Sequence, residues 1–129
     1  MEKQAINPWD WADKYTYSQA WKVDGASSVV VFSGQAPLDA DGELVGEGDF
    51  EAQARQVFQN LEIVLGQAGA TFEDVIKLTA YVTDMTRLGD YGRVRAEYLK
   101  GRRPAVTTVG VQSLAFPGML IEVEALAVL

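Results

Sequence analysis

Two carboxylates, Glu122 and Glu124, stand one residue apart in the C-terminal run LIEVEALAVL. A carboxylate can take a proton from water or hold a water molecule against an electrophile, so this pair is the first candidate for chemistry. Read as a strand, the run carries Ile121, Val123, Ala125, Ala127 and Leu129 on one face, and Glu122, Glu124, Leu126 and Val128 on the other. A strand apolar on both faces needs cover on both. In a short chain one cover is its own helices, and the other is most easily a second subunit. A charge at such an edge is costly unless it has a partner or a task. The plainer alternative is that both glutamates touch water at a rim.

What the chain lacks narrows the chemistry further. Among 129 residues there is no cysteine and no histidine. Thiolate nucleophiles, disulfides and thiolate metal sites are excluded, as are Ser–His and Cys–His dyads and the commonest metal ligand. Chemistry falls to carboxylates, hydroxyls, Tyr, Lys, Arg, backbone groups and water, and redox or zinc enzymology is not expected. The net charge of −7 disfavours nucleic acid as a partner, because phosphate binding calls for a basic stripe. The basic residues that do cluster, Arg87, Arg93, Arg95, Lys100, Arg102 and Arg103, lie on and after one predicted helix. They form either a solvated helix face or a local anion site.

Four further places are candidates for binding. Ser33-Gly34-Gln35 ends an apolar run, where a glycine can let backbone N–H groups approach a ligand or merely terminate a strand. Tyr17 opens the first predicted strand, for packing or for a phenolic hydrogen bond. Arg102-Arg103-Pro104 precedes the fourth strand, and the proline fits a strand entry. Asp39, Asp41 and Glu43 lack the remaining ligands of a calcium loop and fit a solvated turn.

The elements that must position these residues follow from periodicity. Residues 17–23 and 28–33 flank Asp24-Gly25, a hairpin signal. Residues 36–48 hold Pro, Asp-Gly and Gly and predict a loop. Phe50, Ala54, Val57, Phe58, Leu61, Val64, Leu65 and Ala68 recur at helical spacing after Asp49, with Gly69 as a stop. Residues 75–83 predict a strand with Ile76, Leu78, Ala80 and Val82 on one face, and 88–100 a second helix. Residues 105–111 predict a fourth strand, and a loop through Phe116-Pro117-Gly118 leads to the last one. The order is ββαβαββ within a single domain, 1–129, an α+β fold in which one mixed sheet carries both helices on one face. Its other face is the expected oligomer face. No apolar run approaches the roughly 20 residues of a membrane span, and MEKQAINPWDW has no basic-then-apolar leader pattern, so cytoplasm is the expected location.

Tyr17-Ser-Gln, Ser33-Gly34-Gln35-Ala-Pro37, Gln53-Ala54-Arg55-Gln56, Arg103-Pro104-Ala105 and Ile121-Glu122-Val123-Glu124-Ala125 together make the chain resemble the Rid (YjgF) family of imine and enamine deaminases. The resemblance runs from Tyr17 to the C-terminus. It implies a chorismate-mutase-like fold, a homotrimer, and small-molecule ligand clefts between adjacent subunits. It also implies roles: Glu122 holds the attacking water, Tyr17 and the backbone at Ser33 and Gly34 help bind the ligand, and Thr107 and Thr108 line the fourth strand. The family's carboxylate-clamping arginine falls at Val106, which offers only an apolar wall in place of a bidentate grip. Arg95 is either a displaced cation for that cleft or a surface helix arginine. The expected activity is hydrolytic deamination or tautomerisation of a small imine or enamine other than a standard 2-imino acid. A non-catalytic trimeric binding module is the alternative.

Overall fold

The computed structural model describes all 129 residues. Six strands and two helices run in the order β1 (Glu2–Ile6), β2 (Ala20–Asp24), β3 (Val29–Val31), α1 (Phe50–Gln67), β4 (Val75–Val82), α2 (Leu88–Leu99), β5 (Ala105–Gly110) and β6 (Ile121–Val128). The main sheet has the order β3-β6-β4-β5, with β4 and β5 parallel and the other pairs antiparallel. No helix is long and apolar enough to cross a membrane.

The helices form where the stripe requires. Asp49 caps α1, its side chain accepting a hydrogen bond from the Ala52 backbone N–H at 3.1 Å. Phe50, Ala54, Val57, Phe58, Leu61 and Leu65 are buried against the sheet. The Phe58 ring contacts Phe72, Tyr91 and Tyr98 at centroid distances of 5.3–6.2 Å, which locks α2 beside α1. Such aromatic pairs are worth roughly 0.5–1.5 kcal/mol beyond area burial. Leu78, Ala80 and Val82 of β4 and Ile121, Val123 and Ala127 of β6 are fully buried beneath the helices.

The N-terminal part departs from the expectation. Gly25 does turn, with φ 75°, but the strands around it do not pair with each other. β2 pairs with β1, a strand that alternation did not reveal, as a separate two-stranded antiparallel sheet. β3 pairs with β6 instead. The β1–β2 hairpin is tied to the sheet end where β4 and β5 begin. Lys3 Nζ donates to the Glu73 carbonyl at 3.1 Å and Trp21 Nε1 to the Arg103 carbonyl at 3.0 Å. Two smaller corrections concern faces. A β-bulge between Val75 and Lys77 puts Val75, rather than Ile76, into the core beside Leu78. Val64 and Val128 exchange roles: Val64 is 36% exposed, whereas Val128 is 4% exposed.

The second face of the main sheet carries no helix. Register places Val29 and Val31 of β3, Glu122, Glu124 and Leu126 of β6, Thr79 and Tyr81 of β4, and Thr107 and Val109 of β5 there. Val31 is 76% exposed and Val29 58%, an apolar strand surface of the kind that marks an interaction face.

Candidate functional site

Glu122 lies on β6 opposite Tyr81 and is half-buried. Its side chain runs over Gly34, and a Cβ built at that glycine would sit 2.2 Å from Oε1, 2.7 Å from Cδ and 2.9 Å from Cγ. Only a residue without a side chain leaves this carboxylate its place. Gly34 is held there because the Gln35 backbone N–H donates to the Val123 carbonyl at 2.7 Å, extending the β3 path along β6. Both Gly34 and Glu122 line a cavity of about 780 Å³ walled by Ile63 and Val64 of α1 and by Phe116. That volume lies within the roughly 300–1,000 Å³ usual for small-molecule sites. The exposed Val64 thus belongs to the site wall rather than to the core stripe.

Two side chains to which the sequence assigned no role hold this geometry. Gln53 is fully buried on α1, donating from Nε2 to the carbonyls of Gly46 at 3.1 Å and Gly118 at 2.9 Å. Its Oε1 accepts from the Leu120 N–H at 2.8 Å, which fixes the chain two residues before Glu122. Asn60 donates from Nδ2 to the carbonyls of Ala36 and Leu38, both at 2.9 Å, and so fixes the loop that follows Gly34. The available signal was an amide at position 53, three residues after Phe50, where the apolar stripe calls for a hydrophobe.

Tyr17, Arg95, Val106 and Thr108 come together elsewhere, around a cavity of about 360 Å³ beneath β5. Tyr17 does not open a strand; it lies before β2, stacked on Tyr15 with ring centroids 5.6 Å apart. The chain reaches β5 at this point through Ser18, whose backbone N–H donates to the Pro104 carbonyl at 3.1 Å. Arg95 is not a surface residue. It is 8% exposed, donates from Nη2 to Thr16 Oγ1 at 2.9 Å and lies over the Tyr91 ring at 5.2 Å. Burial pushes the Tyr91 phenol above its ordinary pKa.

The two groups are on opposite sides of the sheet. Val106 and Thr108 stand opposite Leu78 and Ala80, on the helix side, whereas Glu122 stands opposite Tyr81 on the other. Because successive residues of a strand alternate faces, Glu122 and Val106 of one subunit cannot meet. Thr107 also faces away from Val106 and Thr108, and accepts a 2.7 Å hydrogen bond from Lys77 Nζ. Ser33 is exposed, its carbonyl accepting from Gln35 Nε2 at 3.1 Å. Glu124, beside Glu122, accepts from the Tyr81 hydroxyl. That bond, more than burial, holds the Tyr81 phenol above its usual range. No three acidic side chains gather as a metal cage.

The family model described as endoribonuclease L-PSP, the YjgF/Rid family, matches residues 11–129. The chain belongs to the Rid family. A RutC family protein of Pyrococcus horikoshii is 41% identical over 112 residues, covering 86% of this chain and 85% of that relative. Protein DfrA of Myxococcus xanthus is 41% identical over 115 residues, covering 87% and 84%. Among solved structures, the Rid family protein YyfB of Yersinia pestis superposes with a TM-score of 0.89 at 36% identity over the whole of both chains. RidA of a Psychrobacter species superposes with 0.73 at 34% identity, covering 92% of each. The Rid fold, two helices over mixed β-sheet, is the one described above.

Proposed function

We propose that this Rid protein is a hydrolytic deaminase, or a tautomerase, of a small imine or enamine, working in clefts between adjacent subunits of a homotrimer. The observation that carries the reading is the Gly34–Glu122 contact: the chain gives up a side chain at 34 to keep a carboxylate at the wall of a ligand-sized cavity. Glu122 and Gly34 form one half of the proposed cleft, and Tyr17, Val106, Thr108 and Arg95 of the neighbouring subunit form the other. A ring of subunits joined through the open sheet face brings the halves together and covers Val29 and Val31.

The reaction needs no cofactor, because a C=N carbon is already electrophilic. Water held by Glu122 adds to that carbon, its O–H proton passing to the carboxylate while the π electrons of C=N move to nitrogen. Glu122 returns the proton to nitrogen, giving a carbinolamine; it then takes the carbinolamine's hydroxyl proton and passes it to the amine nitrogen, which leaves as ammonia as the C–N bond breaks and the C=O bond forms. A single carboxylate thus serves as base and then as acid, a role worth roughly 10²–10⁴-fold. Tautomerisation of an enamine uses the same proton relay without water addition. Cleavage of RNA fits less well, since the chain has no histidine and a net charge of −7.

The second reading, a trimer that binds a small ligand without turning it over, is favoured by one observation: Val106 puts a methyl-bearing wall at the clamp position of β5. Two measurements decide. Light scattering should give three copies of 14.1 kDa, about 42 kDa, and a stable monomer would remove the intersubunit cleft. Ammonia release from imines generated in situ should fall about 100-fold or more in Glu122→Gln with the assembly intact. Wild-type protein that releases no ammonia above background would establish the binding module instead.

A further inference from the structure

We propose that Arg95 is the anion-binding residue of the cavity beneath β5, and that the ligand seated there carries a carboxylate presented to α2. The cleft is the one proposed above, but this inference concerns what it binds and does not require hydrolysis.

Of the six arginines in the chain, Arg55, Arg87, Arg93 and Arg102 are ion-paired with Glu or Asp. Arg103 donates to the backbone carbonyls of Ala12, Asp13 and Tyr15. Arg95 alone is buried, and it makes no ion pair, giving only Nη2 to a threonine hydroxyl while Nε is buried without a partner. Four of the other five arginines are thus ion-paired, whereas the buried one meets no acidic side chain of its own subunit. Such a charge is costly to bury without an anion. Within one subunit the cavity beneath β5 is lined by no Asp or Glu.

The cavity is shaped for an anion on a small apolar body. Leu88, Tyr91, Gly92 and Arg95 form one stripe of α2, at spacings of three and four residues. Gly92 leaves the floor open, since a Cβ there would meet nothing within 4 Å. The Tyr91 hydroxyl, buried and unpartnered, is a second donor on the same stripe. β5 runs against the direction of α2, because Gly110 lies over Met85 just before the helix and Ala105 follows soon after its end. Val106 thus faces the Arg95 end, and its short side chain leaves the guanidinium access from the helix rather than from the strand. A planar fork with apolar walls suits a carboxylate.

The test is titration calorimetry with propionate and its neutral isostere propionamide, neither of which can be hydrolysed as an imine, at constant ionic strength. Wild type should bind propionate and not propionamide. Arg95→Gln should weaken propionate at least tenfold, and Arg95→Lys less. Should Arg95→Gln fail to fold, Val106→Glu, which sets a carboxylate beside Arg95, must abolish propionate binding. Equal affinity in Arg95→Gln or Val106→Glu, or no propionate binding by wild type, overturns the proposal. So does a gain of binding in Glu122→Gln, which would make a neighbouring subunit's Glu122 the counterion. Imine hydrolysis without propionate binding would overturn this inference and leave deamination standing; Arg95-dependent binding without hydrolysis would do the reverse.

Discussion

Gly34→Ala is the sharpest test of how the carboxylate is held. Gly34 does not adopt the positive φ that disfavours side chains, so alanine fits its backbone, and the whole effect falls on Glu122. The new Cβ would stand 2.2 Å from Oε1, 2.7 Å from Cδ and 2.9 Å from Cγ, against a comfortable separation of about 3.5 Å. The oxygen must therefore retreat by about 1 Å, and because Cγ is also crowded, the whole side chain rather than its tip must rotate. A forced rotamer costs on the order of 1 kcal/mol of stability, a melting shift of about 4 °C for a domain of this size. Catalysis should suffer more, since a displacement of about 1 Å can cost about 100-fold, or about 2.7 kcal/mol of transition-state stabilisation. The assay is ammonia release from imines generated in situ, with melting followed in parallel. In a Glu122→Gln background the same substitution should cost no further activity, because both changes act on one group. Wild-type turnover in folded Gly34→Ala would refute the argument that this glycine exists to seat Glu122.

Gln53→Ala should lower unfolding free energy by about 2–4 kcal/mol, because it removes a fully buried amide and leaves the part-buried Leu120 N–H and the Gly46 and Gly118 carbonyls without their partner. Urea denaturation with an unchanged slope reads this directly, and a loss below about 1 kcal/mol would show that water replaces the amide. Tyr81 should ionise above the ordinary phenol value of 10.0, chiefly because its proton is donated to Glu124. The folded state is thereby favoured below that value and loses the advantage as pH rises through the folded pKa. Glu124→Gln should bring the phenolate absorbance attributed to Tyr81, isolated with Tyr81→Phe, back toward the ordinary range; no movement would assign the shift to burial.

Much of the fold was legible because its cause is local. The stripe from Phe50 to Leu65, the alternation of β6 and the Asp49 cap depend on residues within a few positions of one another. β1 was not legible, since its burial pattern has one partly buried residue among exposed ones and its strand state comes from pairing with β2. The Asp24-Gly25 signal correctly gave a turn but not its partners, because β6, more than ninety residues away, takes up β3.

The sequence by itself determined the family and the reactive inventory: no cysteine, no histidine, a glutamate at 122, a glycine at 34 and a valine at 106. These are matters of residue type, and chemistry excluded by composition cannot be restored by folding. Only the tertiary structure decided which of these groups share a space. Strand register separated Glu122 from Val106 by a sheet, and helix packing buried Arg95, which its charge and neighbours in sequence made a surface candidate. Burial and register are sums over contacts distant in the chain, and the same arginine is solvated or bare according to what packs across it.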